Sequence, residues 1–282
     1  MRVLLGLFAL CCGPAFAQIS LVGDWGQRFH EDAAERGPGP ELGDYLGLPI
    51  TDAARLRADS WEGSRLTLPE QQCRAHVSPY INRGPLELRI WEEKDPESQQ
   101  VVAIKMYSST YEQTRTIWMD GRAHPPDGAQ HTWMGFSTGK WEGSLLTVYT
   151  THIKQGWVRR NGLPESDQAT LVDHFTRHGE VLTHISIVTD PVYLTEPLIK
   201  TNNFALDANY RGNWLWPCES VVEIASRARG TVPHILPGKN TFILEFLKAH
   251  PMVPAEAARG GAETMYPEYQ AKLRQMAKVA GK

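Results

Sequence analysis

Between Val101 and Leu206 the chain repeats one local theme: a short apolar or alternating segment, a glycine-bearing turn, then another such segment. Val101–Tyr107 alternates in part, and Thr114–Met119 ends at Asp120-Gly121, a turn dipeptide. Thr132–Ser137 and Leu145–Ile153 flank Trp141-Glu142-Gly143, and Thr170–Arg177 and Val181–Thr189 flank His178-Gly179. Both read as hairpins, with glycine where the backbone needs a positive φ. Val192–Leu206 continues extended, and Trp214–Ile224 is a further strand candidate. Strands that follow one another through tight turns pair antiparallel. The predicted fold is therefore mainly β, an antiparallel up-and-down barrel or sandwich.

The flanks read differently. Residues 18–60 are rich in Gly, Pro, Asp and Glu and predict an irregular arm around one short strand near Leu21–Trp25. Thr51 is placed to cap a helix through Asp59, whose Ala-Ala-Arg-Leu-Arg run favours helix. Residues 61–250 form the β domain. In residues 251–282, Tyr266, Tyr269, Leu273 and Met276 recur at helical spacing and predict a C-terminal helix. Trp61-Glu62-Gly63-Ser64 echoes Trp141-Glu142-Gly143-Ser144, so either a duplicated hairpin or a coincidence of composition is expected.

Residues 1–17 carry one basic residue, an apolar run from Val3 to Leu10 and an Ala15-Phe16-Ala17 site, the pattern of a cleavable export signal. The run is too short to span a bilayer, which takes about 20 apolar residues, and no other stretch is long enough. The expected location is periplasmic or secreted, starting at Gln18. Two cysteines then remain, Cys73 and Cys218. In an oxidising compartment they pair as a disulfide or persist as two buried thiols. A disulfide would close a loop of about 145 residues, worth roughly 4–5 kcal/mol of chain entropy. Neither sits in a Cys-x-x-Cys pair, which argues against zinc. With 29 Lys and Arg against 32 Asp and Glu, and no basic block, a nucleic-acid surface is not expected.

The chemistry-bearing residues concentrate in the β-rich middle. Asp173 and His184 fall on one face of the second hairpin with Phe175 and Leu182, where an Asp–His pair serves either as an acid–base group or as a hydrogen-bonded surface pair. His152 ends the strand that carries Tyr149. Trp157, Arg159 and Arg160 follow, and arginine beside an aromatic ring suits a carboxylate-bearing aromatic ligand as well as it suits an exposed basic turn. Tyr193 reads as core or pocket lining. Trp133 is expected opposite His152 across the first hairpin, so that His152, His184 and Trp133 line one cavity. Gly135-Phe136-Ser137-Thr138-Gly139 matches the nucleophile-elbow spacing, but an elbow needs a following helix and here a strand follows.

The runs Trp118-Met119-Asp120-Gly121-Arg122 and Trp133-Met134-Gly135-Phe136-Ser137-Thr138-Gly139-Lys140-Trp141-Glu142-Gly143 resemble a large, mostly uncharacterised family of secreted bacterial proteins with an MDGR turn and a W-x-G-x-S-x-G-x-W-E-G hairpin. The resemblance spans about Cys73 to Cys218. It implies a lipocalin-like barrel and brings no reaction or catalytic residue. The chain departs from that pattern at Thr151–Trp157, where a specialised pocket is the expected consequence.

Nine tryptophans, interleaved with histidine, arginine and tyrosine, point to a cavity for a small apolar or aromatic molecule, with or without a carboxylate. The alternative is a cofactor-free acid–base enzyme, a lyase, decarboxylase or hydrolase, using His152 or His184 with Asp173. A metal-dependent enzyme is the third reading. No cofactor is called for, and the oligomeric state is open.

Overall fold

A computed structural model describes residues 19–28, 45, 47–68, 71, 77–78, 88–108, 113–159, 162–207, 209, 226–228, 230–251 and 253–280. Residues 1–17, Cys73, Cys218, Arg160 and the Trp214–Ile224 segment lie outside that set.

The alternating segments form strands β1 (Gly23–Arg28), β2 (Leu88–Lys94), β3 (Val101–Ser108), β4 (Gln113–Trp118), β5 (Phe136–Glu142), β6 (Leu145–Thr151), β7 (Gly156–Trp157), β8 (Pro164–Glu165), β9 (Thr170–His178), β10 (Val181–Thr189) and β11 (Leu198–Leu206). All but β7 and β8 close a barrel in the order β1-β11-β10-β9-β6-β5-β4-β3-β2, while β7 and β8 make a separate two-stranded ribbon. The barrel is not purely antiparallel. Ile117↔Ser137 and Trp118↔Thr138 pair in parallel between β4 and β5. Parity requires this. Each antiparallel neighbour reverses direction, so a ring of nine strands returns to its starting direction only with an odd number of parallel pairs. The cost is a long crossover, residues 119–135, which must travel back along the barrel wall before β5 begins.

Arg122 starts that crossover by folding back over the Trp118 ring, 3.5 Å from its centre, and pairing with Asp120. Gly121 at φ +74 supplies the bend. The MDGR motif is thus the turn by which the chain leaves β4.

Both tight hairpins turn one residue later than the sequence suggested. Glu142 pairs with Leu145 around Gly143-Ser144, and His178 pairs with Val181 around Gly179-Glu180. Each turn glycine has positive φ, 63° and 59°. Moving a two-residue loop by one position shifts every partner by two. Strand side chains alternate with period two, so every residue keeps its face. His184 stands opposite Phe175 rather than Asp173, yet all three still point inward.

The helices differ more from expectation. Thr51 does cap α1 (Asp52–Asp59), its hydroxyl accepting the Ala54 amide. An amphipathic α2 (Phe242–Ala249) was not expected. The C-terminal helix is broken into α3 (Ala255–Arg259), a 3-10 turn at Ala262–Met265 and α4 (Pro267–Ala280), because Gly260-Gly261 and Pro267 interrupt it. The repeated tetrapeptide is a coincidence: Gly63–Thr67 is 3-10 helix, whereas Gly143-Ser144 is a hairpin loop.

Two apolar clusters fill the interior. One gathers Trp25, Ile90, Ile104, Met106, Ile117, Leu146, Phe175, Leu182 and Phe204 inside the barrel. The other packs Ile153, Leu171, Val188 and Leu198 at the barrel end against Tyr45, Ile50, Ala54, Ala58, Tyr193 and Leu194 of the arm, α1 and the β10–β11 turn.

Candidate functional site

Between the two clusters runs a belt of buried polar side chains. β4 contributes Arg115, β5 Ser137, β6 Thr150, β9 Asp173, β10 His184 and Ser186, and β11 Asn202, each at most 2% exposed. Arg115 reaches across two strands. Its Nε donates to Ser137 Oγ (3.1 Å), and its Nη2 donates to Thr150 Oγ1 and to Asp173 Oδ2, both at 2.6 Å. Asp173 Oδ1 accepts from His184 Nε2 at 2.7 Å, and Phe175 stacks on the His184 ring at 4.5 Å. Burial alone would raise the Asp173 carboxyl. The Arg115 charge and the His184 bond overturn that and hold it below the usual carboxylate range. Arg115 Nη1 alone has no hydrogen-bond partner.

The sequence reading therefore paired Asp173 with His184 and missed Arg115. A weak signal was present: Arg115 alternates onto the same face of β4 as the apolar Ile117. The Asp–His pair is not at a surface. His184 points its other ring nitrogen at Asn202 Nδ2, 3.4 Å away, and is sealed.

His152, His184 and Trp133 do not meet. The β5–β6 ladder ends at Phe136↔Thr151, because Gly135 at φ +66 and His152 at φ +56 both bend the backbone there. Beyond it Thr132 bridges Ile153 in parallel, which carries Trp133 away from His152 onto the end cluster. His152 lies on the outer wall under the crossover. Its Nε2 bonds the Pro126 carbonyl (3.0 Å) and its Nδ1 meets Thr151 Oγ1 (2.7 Å). Tyr149 is also outside, because Val148 and Thr150 face in; its ring packs 5.0 Å from His124. Tyr193 is core, 9% exposed.

Trp157 does line a cleft. At the barrel end, α1, the 3-10 turn and the β7–β8 ribbon enclose about 130 Å³ between Arg57, Trp61, Arg65, Gln71, Gln155, Gly156, Trp157, Gly162 and Pro164. The Trp61 and Trp157 rings meet edge to face at 5.1 Å. Gly162 makes this possible: with φ +88 it lets Trp61 pack on bare backbone, where an added Cβ would stand 2.5 Å from Trp61 Cβ. Arg65 lies over the Trp61 ring at 5.3 Å, with its Nε buried and unpartnered. Burial and the neighbouring Arg57 charge both push the Arg65 guanidinium down from its usual range, and among the described residues no carboxylate offsets them. Among the described residues Arg57 and Arg65 make no ion pair. Among the described residues the arginines of this site are thus Arg57 and Arg65, which the sequence reading missed. Arg159 is half-buried outside the lining.

The ribbon strand β8 ends at Glu165. It is fully buried, neither carboxyl oxygen has a partner, and burial with the nearby Asp190 charge raises it well above the usual carboxylate range. Asp190 is saturated: it accepts from Ser166 N and Oγ and from Val192 N and Tyr193 N. Among the described residues no cluster of three or more His, Cys, Asp or Glu is arranged to hold a metal ion. Comparison with protein-family models, curated proteins and solved structures found no match to this chain.

Proposed function

We propose that this is an exported barrel protein that binds a small, planar, carboxylate-bearing molecule in the cleft at the barrel end. One observation carries the reading: two arginines stand together beside two tryptophans, and among the described residues no anion lies between them. Like charges held close are unfavourable, and an unpaired buried donor adds to that cost. A carboxylate relieves both while its ring lies against Trp61 and Trp157. The small volume favours a single-ring compound over the larger ligands that fill pockets of roughly 300–1,000 Å³. The belt inside the barrel holds its strands together rather than meeting ligand.

Benzoate is the direct probe, with binding read from quenching of tryptophan fluorescence and confirmed by calorimetry. Arg65→Ala and Arg57→Ala should each weaken binding roughly tenfold or more, the weight of a charged hydrogen bond of about 1.5–3 kcal/mol. Equal affinity in both variants would reject the cleft. Export carries its own test. The secreted protein should begin at Gln18 and hold Cys73 and Cys218 as a disulfide. An intact mass that retains residues 1–17, or two titratable thiols after denaturation without reductant, would overturn that part.

A further inference from the structure

The crossover is pinned to the outer barrel wall by a hydrogen-bond chain that has one consistent set of protons. His152 Nε2 faces the Pro126 carbonyl at 3.0 Å, so it must carry a hydrogen. In the neutral ring Nδ1 then holds a lone pair and accepts the Thr151 hydroxyl proton at 2.7 Å. The Thr151 oxygen is left to accept from His124 Nδ1 at 2.8 Å, and His124 Nε2 in turn accepts from Thr138 Oγ1 at 2.9 Å. Each hydroxyl proton and each ring nitrogen is used once, and the Thr151 oxygen both donates and accepts. A proton added at His152 Nδ1 turns the Thr151 hydroxyl hydrogen out of its bond, and one added at His124 Nε2 does the same to the Thr138 hydroxyl, breaking the crossover's own side-chain link to β5.

Two further imidazoles crowd the chain. The His131 ring centre is 5.2 Å from that of His152, and the His131 Nδ1 donates to the Ile153 carbonyl. His124 is held down from the usual imidazole range by burial and by the charge of His152. Tyr149 and Phe136 cover His124. Among the described residues no carboxylate pairs with any of the three rings. Asp120 is taken by Arg122 and Glu142 by Lys140, Asp127 is exposed, and Lys154 lies 5.0 Å over Trp133. His152 also holds a left-handed backbone, uncommon outside glycine.

The pinned segment leads to the cleft. Thr132 and the backbone of His152 and Lys154 exchange hydrogen bonds. The next two carbonyls, Trp133 and Met134, accept from Ser78 N (3.1 Å) and Ser78 Oγ (2.8 Å). Val77 beside it lies so close under Gly156 of the cleft wall that a Cβ there would stand 2.6 Å from it. We infer that His124, Thr151 and His152 form an acid-labile clasp: protonation frees the crossover and loosens the cleft, so that ligand is held at neutral pH and released on acidification. The regulatory half rests on the cleft being the ligand site.

Hydrogen exchange of peptides covering residues 119–135, corrected for intrinsic rates, tests the clasp without ligand. Wild-type protein should exchange there at least tenfold faster at pH 5.5 than at pH 7.5. The His124→Gln, His152→Asn double variant should show no such change; asparagine tolerates the left-handed backbone and its amide oxygen stands in for the Nδ1 acceptor. Thr151→Val should exchange fast at both values, and it decides the matter if the double variant does not fold. Equal wild-type protection at the two values overturns the clasp. Benzoate stays ionised at both, so its affinity should fall at least fivefold at pH 5.5 in wild type and stay level in the double variant. Benzoate binding that ignores pH while exchange responds overturns the regulatory half, and no binding at pH 7.5 overturns the cleft reading while exchange still decides the clasp.

Discussion

At the scale of single residues, two buried carboxyls with opposite surroundings set opposite dependences on pH. Asp173 has Arg115 and His184, and its folded-state pKa is depressed. It contributes stability above the unfolded carboxylate range and loses it as pH falls through the folded value. Glu165 has no partner, and its folded pKa is raised. As pH climbs past the ordinary carboxylate range the unfolded chain releases this proton while the folded chain keeps it, so stability falls with rising pH up to the folded value. Glu165→Gln keeps shape and removes the titration. It should raise Tm at pH 7, where a gain of 1 kcal/mol is worth roughly 2–4 °C in a chain of this size, and leave Tm at pH 4 almost unchanged. A variant that melts lower at pH 7 would mean that Glu165 has a partner after all. Asp173→Asn should act the other way. It strands the buried Arg115 charge and should cost about 3–5 kcal/mol in urea unfolding at pH 7.

At the scale of elements, the pattern of turns and faces was legible and the exact turn positions were not. Alternation placed Asp173, Phe175, Leu182 and His184 on one buried face even though the loop sits one residue later, because a shift of two preserves the pleat. The same reasoning failed for Trp133 and His152. It assumed a ladder that continues past Phe136, and nothing local announces that Gly135 and His152 both leave the β region. The cleft arginines were hidden for another reason: Arg57 is on α1 and Arg65 on a 3-10 turn, and only the ribbon inserted between β6 and β9 brings them to Trp157. Turn glycines offer a controlled comparison. Gly143 at φ +63 has open space around it, whereas a Cβ on Gly135 at φ +66 would meet Thr151 O at 2.6 Å and Ile153 Cγ1 at 2.8 Å. Gly143→Ala should cost only the backbone penalty of about 1–2 kcal/mol. Gly135→Ala should cost clearly more, with the difference read from urea midpoints. Equal costs would show that the Thr151 strand end yields freely.

At the scale of the whole molecule, closure is the vulnerable step. A nine-stranded ring needs a parallel seam, and here that seam is only two residues from each strand, whereas β9 and β10 pair along their full lengths. Arg115 bridges that weak joint. It sits on β4 at the seam and bonds Ser137 on β5, Thr150 on β6 and Asp173 on β9, tying the strand before the crossover to three strands after it. Backbone pairing and side-chain network therefore do complementary jobs: the ladder is shortest where the network is densest. Replacing Arg115 by methionine keeps most of the apolar stem and removes every one of those bonds, and it leaves Asp173 buried with His184 alone. The expected result is local opening before global unfolding. Amides of Gln113–Trp118 should lose hydrogen-exchange protection by roughly a hundredfold or more, about 3 kcal/mol, while those of the β9–β10 hairpin keep theirs until the barrel unfolds as a unit. If both regions lose protection equally, Arg115 supports the fold as a whole and the seam is no weaker than the rest of the ring.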